Sequence, residues 1–163
     1  MDENRLKHSI AVARKMVEIA KSKKLSTEEI KDCFIIGYNH GVGYEFTTNG
    51  INHNKIGGKI LENSSFKYWK EIYYHGEIDT EYKSLYLDIL NQADMQIDKY
   101  GNDVGYDKRL EDIKNRYVTK EILEKIFKCL PNQIYFNHRY RDFIFLANGR
   151  IKFATRMEKR RNY

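Results

Sequence analysis

Six of the ten glycines and two of the five histidines fall in one stretch, Ile36–Leu61, which reads IGYNHGVGYEFTTNGINHNKIGGKIL. A glycine inside a helix costs about 1 kcal/mol relative to alanine. Glycines gathered this closely therefore mark places where the chain turns or is approached at short range. His40 and His53 lie within the stretch. Three residues elsewhere, His8, His75 and Asp94, make chemical sense as groups that fold back onto it.

The segments around it have helical periodicity. From about Glu3 to Lys23, Leu6, Ile10, Ala13, Val17 and Ala20 recur at steps of three and four, and Val12, Met16 and Ile19 widen the apolar arc. His8 sits at the margin of that arc. Ser26-Thr-Glu-Glu29 is a capping box that opens a second helix, which runs to about Asn39. His40 shares the face of Cys33 and Gly37, and Gly41 and Gly43 are expected to end the helix in the left-handed conformation. TTNG is a turn, after which Asn52 is placed to cap a third helix with His53 in its first turn. The pair Gly57-Gly58 predicts close approach by another helix.

A fourth helix is expected from Phe66 to about His75, with Trp69, Ile72 and Tyr73 inward, stopped at His75-Gly76. A fifth, about Glu81–Tyr100, carries the stripe Tyr86, Leu90, Ala93, Ile97 and Tyr100, with Asp94 beside it. Burying that acid is costly unless a cation or donors meet it. Short helices follow at about 107–117 and 120–129. The last segment reads either as a hairpin through Asn148-Gly149 or as helix. The fold class is all-α: a single-domain helical bundle over 1–130, with a basic extension, 131–163, packed on the same domain.

Length and composition set bounds. A chain of 163 residues can bury a core of its own. The 13% aromatic content argues against disorder despite 32% charge. No apolar run reaches the ~20 residues of a membrane span, and MDENRLKHSI lacks the apolar centre of a signal peptide. The expected compartment is therefore cytoplasmic, with no membrane partner. Cys33 and Cys129 are far apart and read as buried, reduced thiols. Net charge is +6, and after Arg139 Arg and Lys far outnumber the two acids, Asp142 and Glu158. Such a tail touches phosphates or is simply solvated.

Taken one at a time, these polar residues have ordinary readings. His8 is an exposed residue near a helix start, Asp94 an amide-bonded acid, Arg109 a surface partner of Glu111 or Asp112. Taken in order, His8, His40, His53, His75 and Asp94 resemble the ligand series of the HD superfamily of metal-dependent phosphohydrolases. The local phrases are YNHGVGY, GINHNKIGG, IYYHGE and ADMQIDKYGNDVGYDKRLEDIKNRY, and the resemblance spans about Arg5 to Tyr117. It implies an HD-like bundle in which His8, His40 and Asp94 hold a divalent metal (Mn, Fe, Ni, Zn or Mg). His40 and Asp94 would be central to the chemistry. It places His53 and His75 for a second ion or for substrate phosphate, with Lys55 and Arg109 as candidate phosphate partners. The implied ligand is a nucleotide or another small phosphate ester.

The chain departs from that pattern at the namesake pair: Gly41 stands where the family has aspartate. Three explanations compete. The protein is an inactive scaffold that still binds a nucleotide. Or a substitute carboxylate (Glu45, Glu77 or Asp98) completes the site. Or the glycine is a single-base change from aspartate. A separate reading, a single-stranded nucleic-acid binder, draws on the pI near 9.1 and on lysines interleaved with aromatics in KYWK and IYYH. His138 lies outside the matched region and is assigned no role.

Overall fold

The structure, a computed structural model, describes residues 3–47, 50–77 and 80–116. Six α-helices follow one another: α1 Glu3–Ser22, α2 Thr27–Asn39, α3 His53–Asn63, α4 Trp69–Tyr74, α5 Leu85–Asp94 and α6 Gly105–Arg116. A 3₁₀ helix, Val42–Phe46, links α2 to α3. Among the described residues there is no strand, only an isolated antiparallel bridge between Ile97 and Asp103. The all-α expectation holds. The expected helix at 120–129, the helix-or-hairpin alternative and the 131–163 extension lie outside the described residues. No helix among those described is long and apolar enough to cross a membrane.

The α1–α2 pair is the frame. The capping box forms as its sequence predicts: the Glu29 amide donates to Ser26 Oγ, and the Ser26 amide donates to the Glu29 carboxylate. Where the helices cross, a Cβ on Gly37 would lie 2.6 Å from Ala13 Cα, so only glycine permits this approach. That contact rotates α1 relative to the expected stripe. The buried residues are His8, Ser9, Val12, Ala13, Met16 and Ala20, while Leu6 is exposed. His8 is therefore buried and not marginal.

The core joins Val12, Met16 and Ala20 of α1 to Cys33 and Ile36 of α2, then to Tyr68 and Ile72 and to Ile89, Leu90, Ala93 and Ile97. Each fully buried aliphatic side chain contributes about 1.5–3 kcal/mol. Polar groups at its edge are met. Tyr68 and Tyr86 donate to the Asp32 carboxylate, and the Tyr82 and Ser84 hydroxyls donate to buried Glu71. Cys33 is a buried free thiol, pushed up to about 11 chiefly by burial.

Three expectations about helix ends need correction. Gly41 is not left-handed: its φ is −89°, which any residue adopts, and the C-cap His40 is still right-handed. Gly43 is required by proximity instead, since a Cβ there would meet the His53 carbonyl oxygen at 1.8 Å. Asn52 does not cap α3 with its side chain; it takes the left-handed conformation itself, at φ 59°. Helix α5 runs only from Leu85 to Asp94, capped by Ser84, and Tyr100 is 53% exposed. The chain leaves the helix there because the Asp98 carboxylate captures the amides of Tyr100 and Asn102 and builds a turn. The paired glycines behave as predicted: a Cβ on Gly58 would lie 2.5 Å from Tyr73 Cβ of α4.

Candidate metal centre

Each histidine is placed by a carbonyl. His40 and His75 stand at the C-caps of α2 and α4, where the last carbonyls of a helix lack partners. Their Nδ1–H groups donate to the Gly37 and Ile72 carbonyls at 2.6 Å each. His53, at the start of α3, donates from Nδ1 to the Gly50 carbonyl at 2.9 Å. His8 donates from Nδ1 to the Asp98 carbonyl at 2.8 Å, a contact supplied by the turn after α5. Fixing Nδ1–H in this way turns Nε2 toward the site, the usual support for a metal-binding imidazole, and in His8 that nitrogen meets the Asp94 carboxylate.

The four Nε2 atoms turn toward one region. His8 Nε2 is 2.9 Å from Asp94 Oδ1, and His40 Nε2 is 3.7 Å from the same oxygen. The ligand atoms of His8, His40 and Asp94 all lie within 4.8 Å of one another. His53 Nε2 and His75 Nε2 face each other at 3.2 Å. The rings run in the order His8, His40, His75, His53, with centroids 5.2, 5.6 and 5.1 Å apart. His8, His40 and His75 are 4%, 1% and 3% exposed, whereas the Asp94 side chain is 28% exposed, so solvent reaches the cluster on its carboxylate side.

Burial depresses His40, His53 and His75 to about 4, against the modest upward pull of Asp94, so they are neutral near pH 7. Asp94 goes the other way. Burial alone would raise it, but the His8 hydrogen bond and the neighbouring imidazoles outweigh that, and it is held well below the usual carboxylate range. The result is one anionic oxygen ligand among four imidazoles.

The residues fit a divalent ion on the chemistry of the donor set. Bare Nε2 atoms facing each other are two acceptors in contact, an arrangement that a shared metal cation stabilises. Two imidazole nitrogens on one ion, with metal–nitrogen bonds of about 2.0–2.1 Å, lie about 2.8–3.4 Å apart at angles near 90–110°.

The other expected participants are not in the cluster. Lys55 Nζ sits 3.4 Å from Glu77 and over the rings of Tyr73 and Tyr74. Arg109, whose side chain is largely buried, donates from Nη1 to Asp112 at 3.1 Å. Of the substitute carboxylates, Glu77 accepts from Asn54 Nδ2, Asp98 organises its own turn, and Glu45 is exposed on the 3₁₀ helix. None joins the ligand group that His8, His40 and Asp94 form.

Position 41 has its own geometry. A Cβ on Gly41 would meet Ser9 Oγ at 2.7 Å. That hydroxyl is 1% exposed and, among the described residues, has no hydrogen-bond partner. Ser9 was not singled out in the sequence, although it directly follows His8. Two more neighbours were missed. Tyr44 stacks on His53 with centroids 3.9 Å apart, and the Arg5 guanidinium lies 3.8 Å from the same Tyr44 centroid. Two groups that close cannot share a ring face, so Tyr44 is sandwiched. Arg5 precedes His8 by one helical turn, the only local hint of this contact.

Comparison with protein-family models, with curated proteins and with solved structures finds no match to this chain.

Proposed function

We propose that this protein is an HD-like, metal-dependent phosphohydrolase acting on a nucleotide or other phosphate ester, weakened at position 41. The observation that carries the reading is the shared orientation of four histidines. Each Nδ1–H is held by a backbone carbonyl, and each Nε2 turns toward the region around Asp94 or toward a second Nε2. Buried histidines placed only for packing have no reason to share one tautomer and one direction.

A divalent ion would be held by His8, His40 and Asp94, and it supplies Lewis acidity and a water that is nucleophilic near neutral pH. The residues do the rest. The carbonyl bonds fix the imidazole tautomers. The ionised Asp94 oxygen provides the negative charge that keeps a cation in place. The buried rings keep bulk water off the histidines, and the exposed edge of Asp94 leaves a way in for the substrate. Arg5, stacked through Tyr44 onto His53, adds positive charge at the His53 end of the cluster.

One observation favours a second reading, a catalytically inactive scaffold that binds an intact nucleotide: Gly41 provides no ligand, and Ser9 Oγ stands 2.7 Å from where its Cβ would be. The single-stranded nucleic-acid variant is less favoured, since Lys55 and Lys59 already lie against the rings of Trp69, Tyr73 and Tyr74. The deciding experiment measures metal content of the purified chain beside Gly41→Asp, with Mn, Fe, Ni and Zn supplied, followed by hydrolysis of a panel of phosphate esters. Metal and hydrolysis in the unaltered chain support the enzyme. Both only in Gly41→Asp support the silenced scaffold. Metal in neither removes the metallohydrolase reading.

A further inference from the structure

We infer that the groove between α1 and the turn at 97–103 is a second ligand site, separate from the histidine cluster. It takes a small molecule that joins a flat apolar ring to a phosphate. A nucleoside monophosphate has that chemistry. Binding there needs no metal, so the site stands apart from the reading above.

The groove lies between two fastenings. At one end Gly101 packs onto the start of α1, where a Cβ would lie 2.8 Å from the Lys7 carbonyl oxygen. At the other, Lys15 Nζ donates to Asp103 at 3.0 Å, and the lysine side chain is 13% exposed. Eight residues of helix separate Lys7 from Lys15, about 12 Å along the axis. Beside Ile10, Ala11 and Arg14, which lie between them, a space of about 550 Å³ is left. Small-molecule sites run to about 300–1,000 Å³.

The lining has an apolar part and a charged part. Ile10, Ala11 and Ile97 are the apolar part, together with the Tyr100 ring, which is 53% exposed. An available aromatic ring next to aliphatic side chains suits a flat ring, which stacks on the one and covers the others. The charged part favours an anion. Both acids of the lining are taken up by one cation, since Lys15 Nζ meets Glu18 and Asp103 at 3.0 Å each. Lys7 pairs with Glu3 in an exposed contact, which holds little energy. Arg14 is exposed, lines the groove, and has no hydrogen-bond or ion-pair partner among the described residues. A guanidinium offers paired donors to phosphate oxygens. A ring alone would leave Arg14 unmet, and a phosphate alone would leave the apolar wall in water.

The same turn supports the cluster. The Asp98 carbonyl, two residues before Tyr100, accepts from His8 Nδ1–H at 2.8 Å. A ligand that bridges Arg14 and Tyr100 ties the turn more firmly to α1 and reaches His8 through that carbonyl. The bound molecule is therefore an effector of the cluster and not its substrate.

The test is an amide NMR titration of the full chain, with chelator present, using adenosine monophosphate, adenosine and inorganic phosphate separately. Adenosine monophosphate should bind more tightly than either fragment, with shifts centred on Ile10, Arg14, Tyr100 and Gly101. Arg14→Ala should weaken it about 10-fold or more, the worth of a hydrogen bond to a charged group. Tyr100→Ala should weaken it about 5-fold or more, the worth of a stacked base. Both side chains are exposed, so neither variant disturbs the core. The His8 ring signals should move with the ligand in the unaltered chain and stay still in Arg14→Ala. Inorganic phosphate binding as tightly as the nucleotide overturns the ligand class. Shifts confined to His40, His53 and His75, or no binding at millimolar nucleotide, overturn the site. Groove shifts with His8 unmoved overturn its role as an effector.

Discussion

His53 Nε2 and His75 Nε2 face each other at 3.2 Å while both Nδ1–H groups donate to the carbonyl three residues earlier in the chain. Without a cation, that pair tolerates protonation poorly, because burial and the neighbouring ring both disfavour a charge there.

The first prediction concerns acid. His40, His53 and His75 titrate near 4 in the folded chain against an ordinary value of 6.5. Between those values the unfolded chain binds more protons than the folded one, so folding stability rises with pH across that window. The stabilisation is fully present above about 6.5 and is lost as pH falls toward 4. Each unit of depression corresponds to about 1.4 kcal/mol per independent group, and coupling among the three makes the total less than their sum. Denaturant melts of the metal-stripped chain at pH 7.5, 5.5 and 4.5 should show midpoints falling in that order. A flat profile would mean that the histidines are not buried as neutral rings.

The second concerns Ser9. A buried hydroxyl without a partner costs about 1–3 kcal/mol. Ser9→Ala should therefore be neutral or stabilise the chain by about 1 kcal/mol. In Gly41→Asp the new carboxylate gives Ser9 Oγ an acceptor, and the backbone at φ −89° accommodates the change once that hydroxyl turns. There Ser9→Ala should destabilise and should lower zinc affinity. A double-mutant cycle reads the coupling directly. Additive effects would show that the two side chains do not meet.

Much of this was legible in the sequence because it is local. The capping box, the α1 and α2 helices, the His75-Gly76 stop and the close approach at Gly58 each follow from residues a few positions apart. The five ligand candidates were legible only as an ordered set, since no one of them departs from ordinary helix residues. What stayed hidden is tertiary. The rotation of α1 that buries His8 is set by Gly37 against Ala13, two helices meeting. The apolar repeat in α5 continues to Tyr100, yet the helix ends at Asp94 because Asp98 turns the chain. Arg5, Tyr44 and His53 come together from three elements, and no spacing announces that.

The third prediction separates two kinds of glycine. Gly58→Ala places a Cβ 2.5 Å from Tyr73 Cβ, between two packed helices. Overpacking of this sort costs about 1–3 kcal/mol, and the displacement of α4 should reach His75. Gly76 has φ +73° but nothing within 4 Å of an added Cβ. Gly76→Ala should cost only the left-handed penalty, about 1–2 kcal/mol. Zinc binding, read by calorimetry, should separate them further: it should weaken in Gly58→Ala and stay closer to that of the unaltered chain in Gly76→Ala.

The last prediction follows the support of His8. Its Nδ1–H is held by the Asp98 carbonyl, and that carbonyl is positioned by a turn in which the Asp98 carboxylate accepts the Tyr100 and Asn102 amides and the Asn102 side chain. Burial opposes ionisation of Asp98, but these donors outweigh it and keep it below the ordinary carboxylate value. Asp98→Ala removes the carboxylate and leaves the carbonyl. The turn should loosen, His8 should lose the support of its Nδ1–H, and zinc affinity should fall about 10–100-fold, as when a supporting partner of a ligand is lost. Asp98→Asn keeps an acceptor for one amide and should fall between. A calorimetric titration of the metal-stripped chain with zinc reads this series. If Asp98→Ala binds zinc as tightly as the unaltered chain, His8 is held by packing alone, and the carbonyl contact is incidental to the site.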